Sequence, residues 1–217
     1  MPPDRRRRGT PAVGGTLRAR KRAETHVALV EAALDLFSQH GYEPTTMQDV
    51  AMAAGVAPRT AFRYFPAKDE LVFADLEAEA DRLIGAFHDV APGVVLLEAL
   101  RQANQVAAAA YLQREAFWER VWRVIASEDA LSARAQRSET VRQVRLATAI
   151  GARLGIDPDE DPRPRVAAAA AVAAGDQATR RWYAQAKRHD LRREINAAFD
   201  QLEGIDAFLS TPLPSGE

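Results

Sequence analysis

Arg59, Thr60, Arg63 and Tyr64 stand close together in the chain, two cations and two hydroxyls on about one and a half turns if the segment is helical. A guanidinium can pair bidentately with a guanine edge, and a threonine can meet a thymine methyl or a phosphate. That chemistry needs a helix held outward on a firm support. The surrounding stretch TMQDVAMAAGVAPRTAFRYFPAK, residues 46–68, predicts such a helix as the second of two short ones. Thr45 with Gln48, or Thr46 with Asp49, offers the first helix a side-chain cap and a partner three residues on. Met47, Val50, Ala51 and Ala54 form a narrow apolar stripe, and small Ala53 and Ala54 let a second helix come close. Gly55 falls where the turn favours a residue free to take positive φ. Pro58 suits the first turn of the next helix, where its missing N–H costs nothing. A helix-turn-helix of this kind places its second helix in the major groove of duplex DNA. Spacing alone fits a plain helical hairpin equally well.

The wording of the segment is more specific. TTMQDVAMAAGV followed by RTAFRYFPAKDEL resembles the DNA-binding signature of the TetR family of bacterial repressors, with a match running from about Arg22 to Leu71. Its Thr-Ala-Phe-Arg-Tyr-Phe variant is most similar to the actinobacterial subgroup that includes mycofactocin-type regulators. The resemblance implies that Gln48, Pro58, Arg59, Thr60, Arg63, Tyr64 and Lys68 approach DNA, with Lys68 meeting a phosphate from the start of a fourth helix. Thr46 is counted among the candidate DNA contacts with them. Two positions depart from the family pattern. Ala57 stands where a serine commonly caps the recognition helix. Phe62 stands where a tyrosine commonly contacts phosphate, and it is expected to pack inward.

The elements that must carry these residues can be read from periodicity. A first helix is expected over about 22–40, with Val27, Val30, Ala33, Leu34 and Phe37 on one buried face against Val50, Ala61, Phe62 and Phe65. A linking helix is expected over 68–87, packing through Leu71, Leu76 and Leu83, before a break at His88–Gly93. Five further helices follow over about 94–112, 115–127, 132–154, 164–187 and 191–209. Period-two alternation of β-branched residues is absent, so no strands are expected. The expected fold is therefore all-α: a three-helix DNA-binding domain over 21–67, the linking helix, and a ligand-binding and dimerisation bundle over 88–210, about nine helices in all. Residues 1–20 are read as a disordered basic arm, with Arg5–Arg8 and Arg18–Arg22 available to the minor groove or to phosphates, and 211–217 as a tail.

Charge supports this division. Through residue 70 there are 11 Lys+Arg against 8 Asp+Glu, giving +3, while the remainder carries −4. The absence of cysteine excludes disulfides and thiolate metal sites and fits a reducing cytoplasm. No apolar run reaches the ~18 residues of a membrane span, so no membrane partner is expected.

Three constellations lie beyond the first domain. Tyr111, Phe117, Trp118 and Trp122 cluster at a helix junction with Asn104 and Gln105 nearby. Asn104, Tyr111, Trp118 and Trp122 are candidate walls and anchors of a small-molecule pocket. An aromatic core explains the same spacing, and the family resemblance, which implies a ligand cavity in this bundle, weighs toward the pocket. Arg120, Arg123, Arg134 and Arg137 can receive an anion such as a coenzyme A thioester, or form a salted helix surface. The alanine run in 166–174, with Trp182, Leu191, Ile195, Phe199, Leu202 and Phe208, supplies either a core within one subunit or a dimer interface; the family resemblance implies the interface.

Catalytic signatures are absent: no G-x-S-x-G, no phosphate-binding G-x-x-x-x-G-K-S/T and no H-E-x-x-H. The four histidines are scattered, and no cofactor is expected. The sequence therefore points to a ligand-responsive regulator, most simply a repressor, that binds a double-stranded palindromic operator as a homodimer and answers to an unknown small-molecule effector. A helical binding protein for acyl-CoA-like molecules, without operator function, is the alternative.

Overall fold

Arginine and alanine carry the chain into helix earlier than the sequence suggests. In the structure, a computed structural model that describes residues 13–185 and 190–204, the first helix α1 spans Val13–His40. The Gly14-Gly15 pair does not delay it to Arg22. Leu17, Arg18, Ala19, Arg20 and Lys21 are good helix formers, and Arg20 adds a 2.7 Å pair to Glu24 one turn on. The part of the expected arm from 13 to 20 is thus helix; residues 1–12 lie outside the described residues.

Two short helices follow, α2 (Met47–Ala53) and α3 (Pro58–Tyr64), and then α4 (Glu70–Asp89). Beyond them lie α5 (Leu96–Leu112), α6 (Glu115–Ala126), α7 (Asp129–Leu154), α8 (Arg163–Ala184) and α9 (Leu191–Glu203). All nine are α-helices, and the described residues contain no strand. The expected tail over 211–217, Phe208 and the last residues of the expected 191–209 helix lie outside the described residues.

The chain divides into two compact units, residues 1–72 and 73–217, and the boundary falls within α4. In the first unit the core is Leu29, Val30, Ala33, Leu34 and Phe37 of α1 with Met47, Val50 and Ala51 of α2, Ala61 of α3, and Phe65. Val27 is not part of it, being 54% exposed. The buried seam of α1 runs through Leu29 and Val30 to Ala33, Leu34 and Phe37, and it begins at His26, whose ring lies 4.9 Å from that of Phe65. Val27 is one residue past His26 and so rotated by about 100° around the helix.

Phe62 is also outside the core, at 43% exposure. Ala61 and Phe65, four residues apart, form the inward pair, so the position after Ala61 turns away. The expectation that Phe62 packs inward is corrected on that ground.

In the second unit, α5, α7, α8 and α9 share a core built on Leu100, Ala103, Leu146, Ile150, Ala171, Val172, Trp182, Leu191, Ile195 and Phe199. The alanines of α8 let these helices approach closely. Trp182, Leu191, Ile195 and Phe199 are therefore core residues of one chain rather than an exposed interface. Arg101 fastens α5 to α9 through Asp200 at 2.5 Å and Glu203 at 2.6 Å.

Candidate DNA-reading surface and ligand cavity

The first candidate site is assembled by two helix starts. At α2, of the two possible caps, Thr46 with Asp49 is the one formed. The Thr46 N–H donates to Asp49 Oδ2 at 2.9 Å, and the Asp49 N–H donates back to Thr46 Oγ1 at 3.2 Å. These bonds hold the Asp49 carboxyl below its ordinary value, the Thr46 side chain contributing most and the Thr46 backbone next. Thr45 turns inward instead, its hydroxyl donating to Gly41 O at 2.8 Å. Gly55 then takes φ 67°, the left-handed geometry that favours glycine and turns the chain toward α3.

At α3, Ala57 occupies the cap position without a side-chain hydrogen bond, and Pro58 opens the helix. Burial of Ala61 fixes the rotation of this short helix. Pro58, Arg59, Phe62 and Arg63 are exposed, with Thr60 and Tyr64 half-buried. The Arg63 guanidinium lies 5.7 Å from the Tyr64 ring centroid. Thr46 and Gln48 are exposed at the start of α2. Phe62 joins this outward surface as a residue that sequence reasoning misplaced; the four-residue spacing of Ala61 and Phe65 was the available signal.

Lys68 sits differently from the rest. Its Nζ donates to Tyr42 O at 2.7 Å and to Glu43 O at 3.2 Å, and stands 4.1 Å from the centre of the Tyr42 ring.

The second candidate site is a cavity of about 1160 Å³ within the second unit, lined from α4, α5, α6, α7, α8 and α9. Asn104, Tyr111, Trp118 and Trp122 all line it, so the structure brings the four sequence candidates together. Tyr111 and Trp118 stack with rings 5.4 Å apart and 4° from parallel. The Trp122 indole N–H donates to the Tyr111 hydroxyl at 3.2 Å, and that hydroxyl is 3.0 Å from the hydroxyl of Tyr183. Burial pushes the Tyr111 phenol far above its ordinary value, and the bond to Tyr183 adds to the shift. Trp118 is 1% exposed, and its indole N–H has no hydrogen-bond partner among the described residues. A buried unmet donor costs on the order of 1–3 kcal/mol.

Asn104, also buried, donates from Nδ2 to Leu100 O at 2.9 Å. Leu76, expected as a packing residue, is half-buried and lines the cavity instead. Gln105 is drawn off to α9, donating to Asn196 Oδ1 at 2.5 Å, and Phe117 packs under the Arg114 guanidinium at 3.9 Å. Tyr183, Thr179 and Gly175 complete the wall from α8, some 70 residues away in sequence from their neighbours on α5.

Six arginines and six carboxylates line the cavity, so pairing rather than total charge decides what it offers. Arg142 bridges Glu139 at 2.5 Å and Asp176 at 2.9 Å. Burial alone would lower the Arg142 pKa; Asp176 and Glu139 outweigh it and raise the group above its ordinary value. Arg145 pairs with Asp81. Burial raises Glu79 above the usual carboxylate range despite its bond to Arg82. Of the arginines expected to receive an anion, Arg123, Arg134 and Arg137 line the cavity and Arg120 does not. Arg123 and Arg137 are exposed, as is Arg180, while Arg134 lies 4.4 Å over Phe73.

Comparison with known proteins places both units. Residues 29–74 match the family described as bacterial regulatory proteins, tetR family, and residues 91–205 match the MftR C-terminal domain. The HTH-type transcriptional regulator TcmR of Streptomyces glaucescens is 34% identical over 185 residues, covering 82% of this chain and 81% of that protein. MftR of Mycobacterium tuberculosis, named for regulation of mycofactocin biosynthesis, is 33% identical over 84 residues, 39% of this chain and 42% of that one. Among solved structures, the transcriptional regulator FadR of Bacillus subtilis, in complex with stearoyl-CoA, has a TM-score of 0.54 at 17% identity, covering 81% of this chain and 96% of that one. That likeness speaks to the fold alone.

Proposed function

The chain belongs to the TetR family of bacterial regulatory proteins, and on that premise we propose that it is a repressor that holds a palindromic operator as a homodimer and releases it when a small molecule fills the cavity of its second unit. Family membership makes it a DNA-binding transcriptional regulator. The observation that carries the finer reading of the DNA site is the rotation of α3. With Ala61 buried, Arg59, Phe62 and Arg63 are left outward on one short helix. Arg59 and Arg63 are the base readers, Thr60 and Tyr64 flank them, and Phe62 offers apolar contact to a thymine methyl. Thr46 and Gln48 meet the backbone from the start of α2, Pro58 gives only apolar contact, and Lys68 reaches a phosphate. The basic first turns of α1, Arg18, Arg20, Lys21 and Arg22, add sequence-independent attraction. Work on DNA places the protein in the cytoplasm, and no described helix is long and apolar enough to cross a membrane.

Asn104, Tyr111, Trp118 and Trp122 form the ligand wall, with Tyr183 opposite Tyr111. The aromatic interior and the exposed Arg123, Arg137 and Arg180 at the cavity suit a large apolar molecule bearing an anionic group, an acyl thioester among them. Repression follows when a bound dimer occupies DNA that polymerase needs, and induction follows when the ligand prefers the DNA-incompetent arrangement.

The test is an electrophoretic mobility shift on the DNA upstream of the chain's own gene, with and without a ligand that quenches tryptophan fluorescence. Specific retardation reversed by the ligand is expected. Ligand binding with no specific retardation of any selected duplex would leave a helical binding protein instead.

A further inference from the structure

We propose that Lys68 is a positioning residue for DNA binding, fastening the turn between α1 and α2 and thereby setting where α2 begins. It rests on reading α2 and α3 as the DNA-contacting pair.

The turn has few means of holding itself. Gly41 ends α1 at φ 90°, its N–H donating to Phe37 O at 3.0 Å. The next carbonyls must find donors in a segment too short for a helix. Thr45 supplies two, its hydroxyl to Gly41 O at 2.8 Å and its N–H to Tyr42 O at 3.3 Å. Lys68 supplies the others from 26 residues away, reaching Tyr42 O at 2.7 Å and Glu43 O at 3.2 Å. Its ammonium also lies over the Tyr42 ring, which is itself buried edge-on against Phe37 at 5.0 Å. Two carbonyls and one π face thus converge on a single charge, each favouring it where it is.

The other end of the clamp is equally fixed. Lys68 O accepts from the Leu71 N–H, and Leu71 and Val72 are buried at 1% exposure. Glu43 precedes the α2 cap Thr46 by only three residues, so slack in the turn becomes misplacement of Thr46, Gln48 and everything that packs on α2. An ammonium carries three donors. Here two carbonyls and the Tyr42 ring take up its contacts, so in the free protein the group is turned toward the α1–α2 turn.

A phosphate contact alone and a clamp differ in the free protein. The experiment is amide hydrogen exchange on the full chain without DNA, comparing wild type with Lys68→Met and Lys68→Arg. Amides of residues 45–50 should exchange about tenfold faster in Lys68→Met, while those of Leu34 and Ile150 stay unchanged. Lys68→Arg, which keeps the charge and several donors, should retain most of the protection. Lys68→Gln gives the same comparison should Lys68→Met not fold.

On a duplex selected from random sequence by the wild-type protein, the affinity lost in Lys68→Met should persist on extrapolation to high salt, where phosphate attraction has faded. Unchanged exchange in residues 45–50, with a loss of affinity that vanishes at high salt, would overturn the proposal and leave Lys68 a phosphate contact only. Should the protein select no duplex, the DNA reading fails, while the exchange result still decides whether Lys68 holds the turn.

Discussion

Gly175 on α8 has no room for a side chain because Asn104 on α5 occupies it: a Cβ there would fall within 3.0 Å of Asn104 Oδ1. The two residues form one device. The glycine admits the carboxamide, and the Leu100 carbonyl fixes it from the other side. Gly175→Ala gains about 1 kcal/mol of helix propensity and loses a similar amount as Asn104 is displaced from its bond. Net stability by denaturant titration should therefore change by less than about 1 kcal/mol. Ligand affinity, followed by tryptophan quenching, should fall. In an Asn104→Ala background the same substitution should become stabilising by about 1 kcal/mol, since the clash is gone. A loss well above 3 kcal/mol in the wild-type background would mean that Asn104 cannot move.

Arg59 and Arg63 leave α3 outward, and each should read bases. Replacing either with alanine should cost about 1–3 kcal/mol and relax preference at particular base pairs. Phe62→Ala should reduce affinity only for sites carrying thymine at one position, with no change in salt slope. Binding measured across a panel of single-base operator variants separates these outcomes; a uniform loss for Arg59→Ala would assign it to phosphate.

The Thr46–Asp49 box makes the start of α2 sensitive to acid. Asp49 is held below its ordinary pKa in the folded chain. Its contribution is therefore fully present above the ordinary carboxylate range and is lost as pH falls through the lowered folded value. Asp49→Asn should flatten that acid-side loss of stability while leaving the neutral-to-basic profile nearly parallel to wild type. Thr46→Ala should cost about 1 kcal/mol as a lost cap and flatten the same limb. Thermal melts across the acid range would show it, and an unchanged acid limb in both variants would remove the box from any role in stability.

The two units were unequally legible. In the first, capping residues, a turn glycine and a helix-opening proline sit within 23 residues, and each constrains its neighbours locally, so the two short helices and the turn between them were readable. Among what failed there, Val27 and Phe62 failed because a residue one step off a helical seam looks periodic until the partner helices are known, and the early start of α1 was missed because Gly14-Gly15 reads as a break. In the second unit Tyr111, Trp118 and Trp122 were visible as a cluster because they lie within 12 residues on consecutive helices. Tyr183, Gly175 and Glu79 were not, since nothing local ties them to α5 and α6; only the packing of α8 and α4 brings them to the cavity. Of the arginines offered to an anion, Arg123, Arg134 and Arg137 line the cavity and Arg120 does not. Their spacing could not tell which would face the cavity, because that depends on how α6 and α7 are rotated against their neighbours.

Self-association should use the side of α8 that the chain does not bury. Ala168, Ala171, Val172 and Ala174 face the core, whereas Val166, at 66% exposure, and Ala173 face out with Gln177. A surface of such small residues gives up little to water as a monomer and permits close helix packing when a second copy arrives. A two-fold arrangement makes the same patch serve both subunits, so one substitution is introduced twice. Ala173→Glu then places two like charges in a desolvated seam, a situation that costs several kcal/mol, while leaving the inward alanines untouched. Wild-type protein at micromolar concentration should sediment at about twice the 23.8 kDa chain mass. Ala173→Glu should sediment as a monomer with unchanged helix content and a retained tryptophan-quenching ligand response. Operator affinity should fall steeply, because the two recognition helices no longer arrive together. A dimer that survives Ala173→Glu, with operator binding intact, would move the interface off this face of α8.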